Sequence, residues 1–274
     1  MRDHPFFKDT PRKTLDMAGQ SIEFPVFYYD VRFIAAIFTA KTSALKRLLP
    51  HRRFKPIPIW PGIGMLGIAA FEYRDTSIGP HNEVGIAIPI KFPSRFVFPG
   101  LSALKMMRKN LFPVYIHHLP VTTDIALKAG IHFYKYPKFL AEITFQDRNG
   151  NLEVTLKEKH DLILKLVAKK LPLRRSAGFE FHTYSIEDNA VMHALVEGWA
   201  PKFGAVKMGS VAELELGEHE ISKELAELNL SKTARRGLYG EGVMTKLHAP
   251  DQRWNADTLE IISAPKLAHR ASNS

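Results

Sequence analysis

Apolar positions along this chain come mostly in short strand-like runs, with few stretches at helical spacing. Residues 24–40 are rich in Phe, Tyr, Val and Ile, broken by Asp30 and Arg32, and predict strand structure. Residues 63–73 and 84–92 read as two further, mostly buried strands, joined by a polar connection over 74–83 that contains Gly79-Pro80. Thr42 or Ser43 can cap a short helix reaching Leu49, with Ala44, Leu45, Leu48 and Leu49 on one face and Pro50 as its stop. Apolar residues at 101, 104, 107 and 111 have helical spacing, Pro113 follows, and 114–118 predict a short strand. Thr122-Thr123-Asp124 opens a helix over 125–133 whose small face is Ala126, Ala129 and Gly130. Residues 139–145 and 152–157 flank Asp147-Arg148-Asn149-Gly150-Asn151, the clearest hairpin in the sequence. Strand patterns recur at 162–167, 179–184, 191–199 and 211–216, before a helix over 221–230 from near Ser222 and a last strand at 242–247.

Many short strands, few helices and no regular βαβ alternation define an α+β chain. The expected fold is a mainly antiparallel β-sheet closed into a barrel-like core with a few peripheral short helices. One domain over residues 24–250 is expected, preceded by an arm (1–23, with Pro5 and Pro11) that packs on a neighbouring subunit and followed by a weakly patterned tail (251–274).

Composition narrows the class. The 274 residues are 45% apolar and 24% charged, the balance of an ordinary globular protein. A formal charge of +10, from 38 Lys and Arg against 28 Asp and Glu, favours anionic partners in general. The basic residues come as scattered pairs such as Arg52-Arg53 and Lys169-Lys170, which fits a solvated surface and not a nucleic-acid interface. With no cysteine, disulfides, thiolate nucleophiles and Cys-ligated metals are excluded. A polar N-terminus without a signal pattern, and apolar runs too short for a bilayer, predict a soluble, cytoplasmic protein with no membrane association.

The common chemical motifs are missing. Gly62-Ile63-Gly64 precedes a strand instead of following one, so it is no dinucleotide fingerprint, and no serine-nucleophile motif occurs. His117 and His118 are adjacent, so on a regular strand they face opposite sides and cannot share a metal. No metal and no cofactor are expected. Lysine and acid–base chemistry remain. Tyr134-Lys135-Tyr136-Pro137-Lys138-Phe139-Leu140 joins a helical pattern to a strand, where an amine can lie in an apolar wall with its tip on a cavity. Desolvated amines in such walls serve as nucleophiles. Glu83, just ahead of the 84–92 strand, is a candidate acid–base group.

Taken together, Asn82-Glu83-Val84-Gly85-Ile86-Ala87-Ile88-Pro89 and, some fifty residues later, Gly130-Ile131-His132-Phe133-Tyr134-Lys135-Tyr136-Pro137-Lys138 resemble the acetoacetate decarboxylase family. Asp75-Thr76-Ser77, Ala44-Leu45-Lys46-Arg47-Leu48-Leu49-Pro50 and Val211-Ala212-Glu213-Leu214-Glu215-Leu216 extend the likeness over roughly residues 25–250. The resemblance implies a β-barrel-based fold, a homo-oligomer, and a small keto-acid substrate held as a Schiff base on Lys138. Acetoacetate decarboxylase is itself a standing example of lysine activation by desolvation or a neighbouring cation. By position Glu83 matches the family's active-site glutamate. Tyr136, Phe139 and His132 are then expected near the substrate, with Arg32 for its carboxylate.

Three positions depart from the family pattern. Phe139 stands where the decarboxylases carry a second lysine, Gly130-Ile131-His132 replaces Gly-Arg-Glu, and small apolar residues at 67–70 occupy the place of a second glutamate, with Glu72 close by. Decarboxylation of a β-keto acid such as acetoacetate is the expected reaction. Aldol or dehydration chemistry through the same imine, and a non-catalytic ligand-binding role, are the alternatives.

Overall fold

The computed structural model of the protein describes residues 1–93, 97–109, 111–175, 178–206 and 209–262. Its strands are β1 (Lys13–Met17), β2 (Gln20–Phe24), β3 (Val26–Lys41), β4 (Lys55–Pro56), β5 (Ile63–Thr76), β6 (His81–Lys91), β7 (Leu111–His118), β8 (Glu142–Arg148), β9 (Asn151–Glu158), β10 (Asp161–Lys169), β11 (Arg174–Arg175), β12 (Phe179–Glu187), β13 (Ala190–Trp199), β14 (Lys202–Val206), β15 (Ala212–Leu216), β16 (Thr233–Ala234), β17 (Arg236–Leu247) and β18 (Gln252–Asn255). The described helices are α1 (Thr42–Leu48), α2 (Leu101–Lys109), α3 (Asp124–Tyr134) and α4 (Glu220–Glu227). None of these is long and apolar enough to cross a membrane.

The large sheet runs β11-β14-β17-β3-β5-β6-β7-β12-β13-β18 and is antiparallel except between β7 and β12. Because β13 also pairs with β17, the path from β17 through β3, β5, β6, β7 and β12 to β13 returns on itself, and the sheet is ring-like. A second sheet, β16-β15-β10-β9-β8, contributes Leu152, Val154, Leu164 and Leu166 to a core shared with Ile34, Phe38, Ile68, Val84 and Ile86 of the large sheet. The opposite side chains of the same large-sheet strands, Val31, Phe33 and Ala35 among them, join a second core with Leu15, Ile22, Phe24, Phe133 and Tyr134. Burial on both faces explains the unbroken apolar run of β3, where a half-exposed strand would alternate.

In residues 1–23, expected as an arm, β1 and β2 make a hairpin through Ala18 and Gly19, both at positive φ, and Phe7 packs on Phe27 and Tyr29 of the same chain. Alternating Leu15/Met17 and Ile22/Phe24 carry that hairpin into the second core. Three local expectations change. Neither Thr42 nor Ser43 caps α1: Lys41 is its N-cap residue, with no side-chain bond. The polar connection at 74–83 is mostly strand, since Tyr73 pairs with His81 and Phe71 with Glu83, so Glu83 lies inside β6 and not in a loop. Finally, the register of β7 on β6 goes from Ile86–His118 to Ala87–Ile116, leaving His117 as a bulge. A bulge breaks the two-residue alternation, and the rings of His117 and His118 lie 4.3 Å apart on one side.

Candidate active site

Helix α3 ends because Lys135 turns left-handed (φ 55°) and the Tyr136 N–H returns to the Gly130 carbonyl at 3.2 Å. With the Lys135 N–H still bonded to the Ile131 carbonyl at 3.2 Å, this is a left-handed helix end that throws the chain off the helix axis. Pro137 follows, with the Lys138 N–H closing on the Tyr136 carbonyl at 2.8 Å. The next residues run beside 119–121: Leu119 N–H donates to Pro137 O (3.1 Å) and Val121 N–H to Phe139 O (3.0 Å). On its other side the same short stretch pairs with β6, where Val121 opposes Glu83 and Val84 N–H donates to Pro120 O. Backbone bonds from three separate segments therefore carry Lys138 to Glu83.

The Lys138 ammonium donates to Glu83 Oε2, and the side chains are only 7% and 12% exposed. Gly130 makes this placement possible. A Cβ there would fall within van der Waals contact of Lys138 Cδ and Cε, so the lysine stem lies directly against the bare glycine backbone. The partner carboxylate also accepts from the Tyr73 hydroxyl, at 3.4 Å to Oε1.

Around the pair stands a wall of buried rings. Tyr28 and Tyr73 pack at 4.4 Å between centroids, and Tyr73 and His81 at 4.7 Å. Burial, and then the negative charge of Glu83, push the Tyr28 and Tyr73 phenols well above their usual range, so both stay protonated donors. His81 is pushed the other way, chiefly by burial, and its Nδ1–H donates to Gly79 O at 2.9 Å. Tyr136 stacks on Tyr134, 5.0 Å away and nearly parallel. Its hydroxyl meets Thr183 Oγ1 at 2.5 Å; since that threonine donates to Ala194 O, Tyr136 is the donor. Burial raises this phenol as well.

The residues expected at the site do not all meet. Lys138, Glu83 and Tyr136 converge. Phe139 packs toward the first core, away from the lysine. His132 is exposed on α3, edge-on to Phe133. Arg32 lies across the sheet from the pair: it opposes Glu72 on β5, whereas Glu83 opposes Phe71, so strand alternation sends them to different faces. There Arg32 donates to Glu72 (2.7 Å) and Asp147 (2.9 Å) and is itself 5% exposed. Tyr28, Tyr73 and His81 were invisible to motif reading. Their only sequence signal is position in strands flanking the Glu83 motif, which acquires meaning once the register is known.

A mostly antiparallel protein with four described helices and a buried lysine–glutamate pair defines the class. The model of the acetoacetate decarboxylase family matches residues 9–253, and the chain belongs to that family. Among solved structures it is similar to an acetoacetate decarboxylase (TM-score 0.59, 15% identity, 87% of this chain and 89% of that one). It is also similar to the acetoacetate decarboxylase of Legionella pneumophila (0.57, 13%, 96% and 95%). A third similar structure is the enduracididine biosynthesis enzyme MppR, complexed with the condensation product of pyruvate and imidazole 4-carboxaldehyde (0.60, 11%, 89% and 97%). No curated protein matches the chain.

Proposed function

We propose that this protein is a lyase that binds a small keto acid as a Schiff base on Lys138, with decarboxylation of a β-keto acid such as acetoacetate as its reaction. The observation that carries the proposal is the buried contact between the Lys138 amine and Glu83, made by segments far apart in sequence. In this reading Glu83 accepts the proton that the ammonium sheds, and the free amine attacks the ketone carbon. Loss of water leaves a protonated imine. Its nitrogen takes up the electron pair of the breaking C–C bond, and carbon dioxide departs to leave an enamine. Protonation at carbon and hydrolysis return ketone and lysine. Tyr28 and Tyr73, kept protonated near Glu83, are the donors assigned here to orient the substrate carboxylate. The ring-like sheet acts as the barrel of the family fold, in a cytoplasmic homo-oligomer.

A second reading, aldol condensation or dehydration through the same imine, is favoured by one observation. Phe139 is uncharged and Arg32 faces the other side of the sheet, so neither supplies a cation for a departing carboxylate. The neighbour MppR, in complex with a pyruvate condensation product, supports keeping it. Borohydride reduction with acetoacetate or pyruvate, followed by peptide mapping, tests the imine: an adduct on Lys138 is expected. No adduct with any keto acid in a panel would sink both readings and leave a binding role. Carbon dioxide release against aldehyde consumption then separates the reactions.

A further inference from the structure

The bulge in β7 brings together a cluster that Schiff-base chemistry does not use. His117 Nε2 and His118 Nε2 both donate to the same oxygen, Oε1 of Glu224, at 2.8 and 3.0 Å. One ligand atom from each of the three side chains lies within 4.8 Å of the others. His117 and His118 are adjacent in sequence, while Glu224 comes from α4, more than a hundred residues later. That helix is firmly seated. Ser222 Oγ donates to Ile163 O at 2.6 Å, Leu225 is fully buried, and His219 accepts from the Ile221 N–H at the helix start. The side chains keep 12%, 21% and 34% of their surface, so the cluster is held in place yet open to solvent.

We propose that His117, His118 and Glu224 form a binding site for a divalent transition metal of the zinc type. Two imidazoles and one carboxylate select a borderline cation such as zinc or cobalt over magnesium or calcium. The same donor set, with a fourth position left to water, serves zinc in open sites. A tetrahedral ion with bonds of about 2.0 Å sets its donors roughly 3.3 Å apart. The two histidine–glutamate separations therefore need to open by only a few tenths of an ångström. Binding takes each ring as the neutral tautomer with its single proton on Nδ1, so that the Nε2 lone pair, which replaces the hydrogen bond to Glu224, faces the ion. His118 opposes Ile86, whose side chain belongs to the first core, whereas Glu83 lies on the other face of β6. The metal site is thus separate from the Lys138–Glu83 pair, and its test is independent of any activity there.

Chelator-treated full-length protein titrated with zinc chloride by calorimetry should take up one equivalent, and cobalt chloride should develop the strong visible absorption of a four-coordinate ion. His117→Gln, His118→Gln and Glu224→Gln should each weaken zinc at least about tenfold. A zinc-soaked crystal of the unaltered chain should show anomalous scattering between the three side chains, a readout that needs no variant to fold. Absence of saturable binding, unchanged affinity in the His117→Gln/His118→Gln double variant, or an anomalous peak elsewhere would each overturn the site and leave a plain hydrogen-bonded clamp between β7 and α4.

Discussion

At the scale of single residues, the Lys138–Glu83 pair couples chemistry to stability. Two charges this deeply buried tolerate each other far better than either tolerates isolation. Lys138→Met alone, leaving a lone buried carboxylate, is expected to cost about 3 kcal/mol, and Glu83→Gln alone a comparable amount. The double variant should be more stable than either single one. Urea denaturation around this double-mutant cycle checks it, and additive losses would show that the pair is not coupled. Gly130 makes a sharper case. Alanine is the better helix former by about 0.5–1 kcal/mol, but its Cβ would occupy the space of the lysine stem. Gly130→Ala should therefore melt earlier than the unaltered protein, because displacing the stem outweighs the gain in helix propensity, and should lose roughly a hundredfold in imine formation or turnover through misplacement of the amine. Equal activity in that variant would mean the stem can move aside freely.

Elements turn single positions into geometry. The β8–β9 hairpin was legible because Asn149 and Gly150 are both turn formers, and both have positive φ (50° and 77°). A Cβ on Gly150 would meet nothing within 4 Å, so Gly150→Ala isolates backbone strain from packing. About 1 kcal/mol of destabilisation is expected, read as a shift in the urea midpoint at constant slope. The bulge in β7 shows the converse. Nothing in the chemistry of His117-His118 announces a bulge, because its position is set by the pairing of β7 with β6. The assumption of strict alternation therefore put the two rings on opposite sides, and the pairing put them together.

Over the whole molecule, buried histidines set the response to acid. His81, His193 and His248 are all pushed below the ordinary imidazole value of 6.5, with burial the largest cause in each. The unfolded chain binds these protons more readily than the folded one. Stability should then hold above roughly pH 6.5 and fall as pH drops from there toward the lower folded-state values. Thermal melts between about pH 7.5 and pH 5.5 check the direction. His81→Gln should flatten the slope by removing one contributor, and a slope unchanged or reversed would show that other groups dominate.

Local information was enough for the class of fold and for singling out Lys138 and Glu83, which the fold brings into contact. Strand-forming runs, turn residues and helical spacing are properties of neighbours in sequence. The Glu83 and Tyr-Pro-Lys motifs are equally local, so they could be read without a register. What surrounds them could not. Arg32 and Phe33 are neighbours in one strand, and only the pairing of β3 with β5 decides that the arginine faces Glu72 while the phenylalanine faces the second core. The same holds for Tyr28, Tyr73 and His81, which gather around Glu83 through hydrogen bonds between strands, and for Glu224, delivered to two histidines by the docking of α4. Side-chain orientation in a sheet inverts with each one-residue shift. Chemistry that depends on which face a residue occupies is therefore a tertiary property, decided by pairings that span much of the chain.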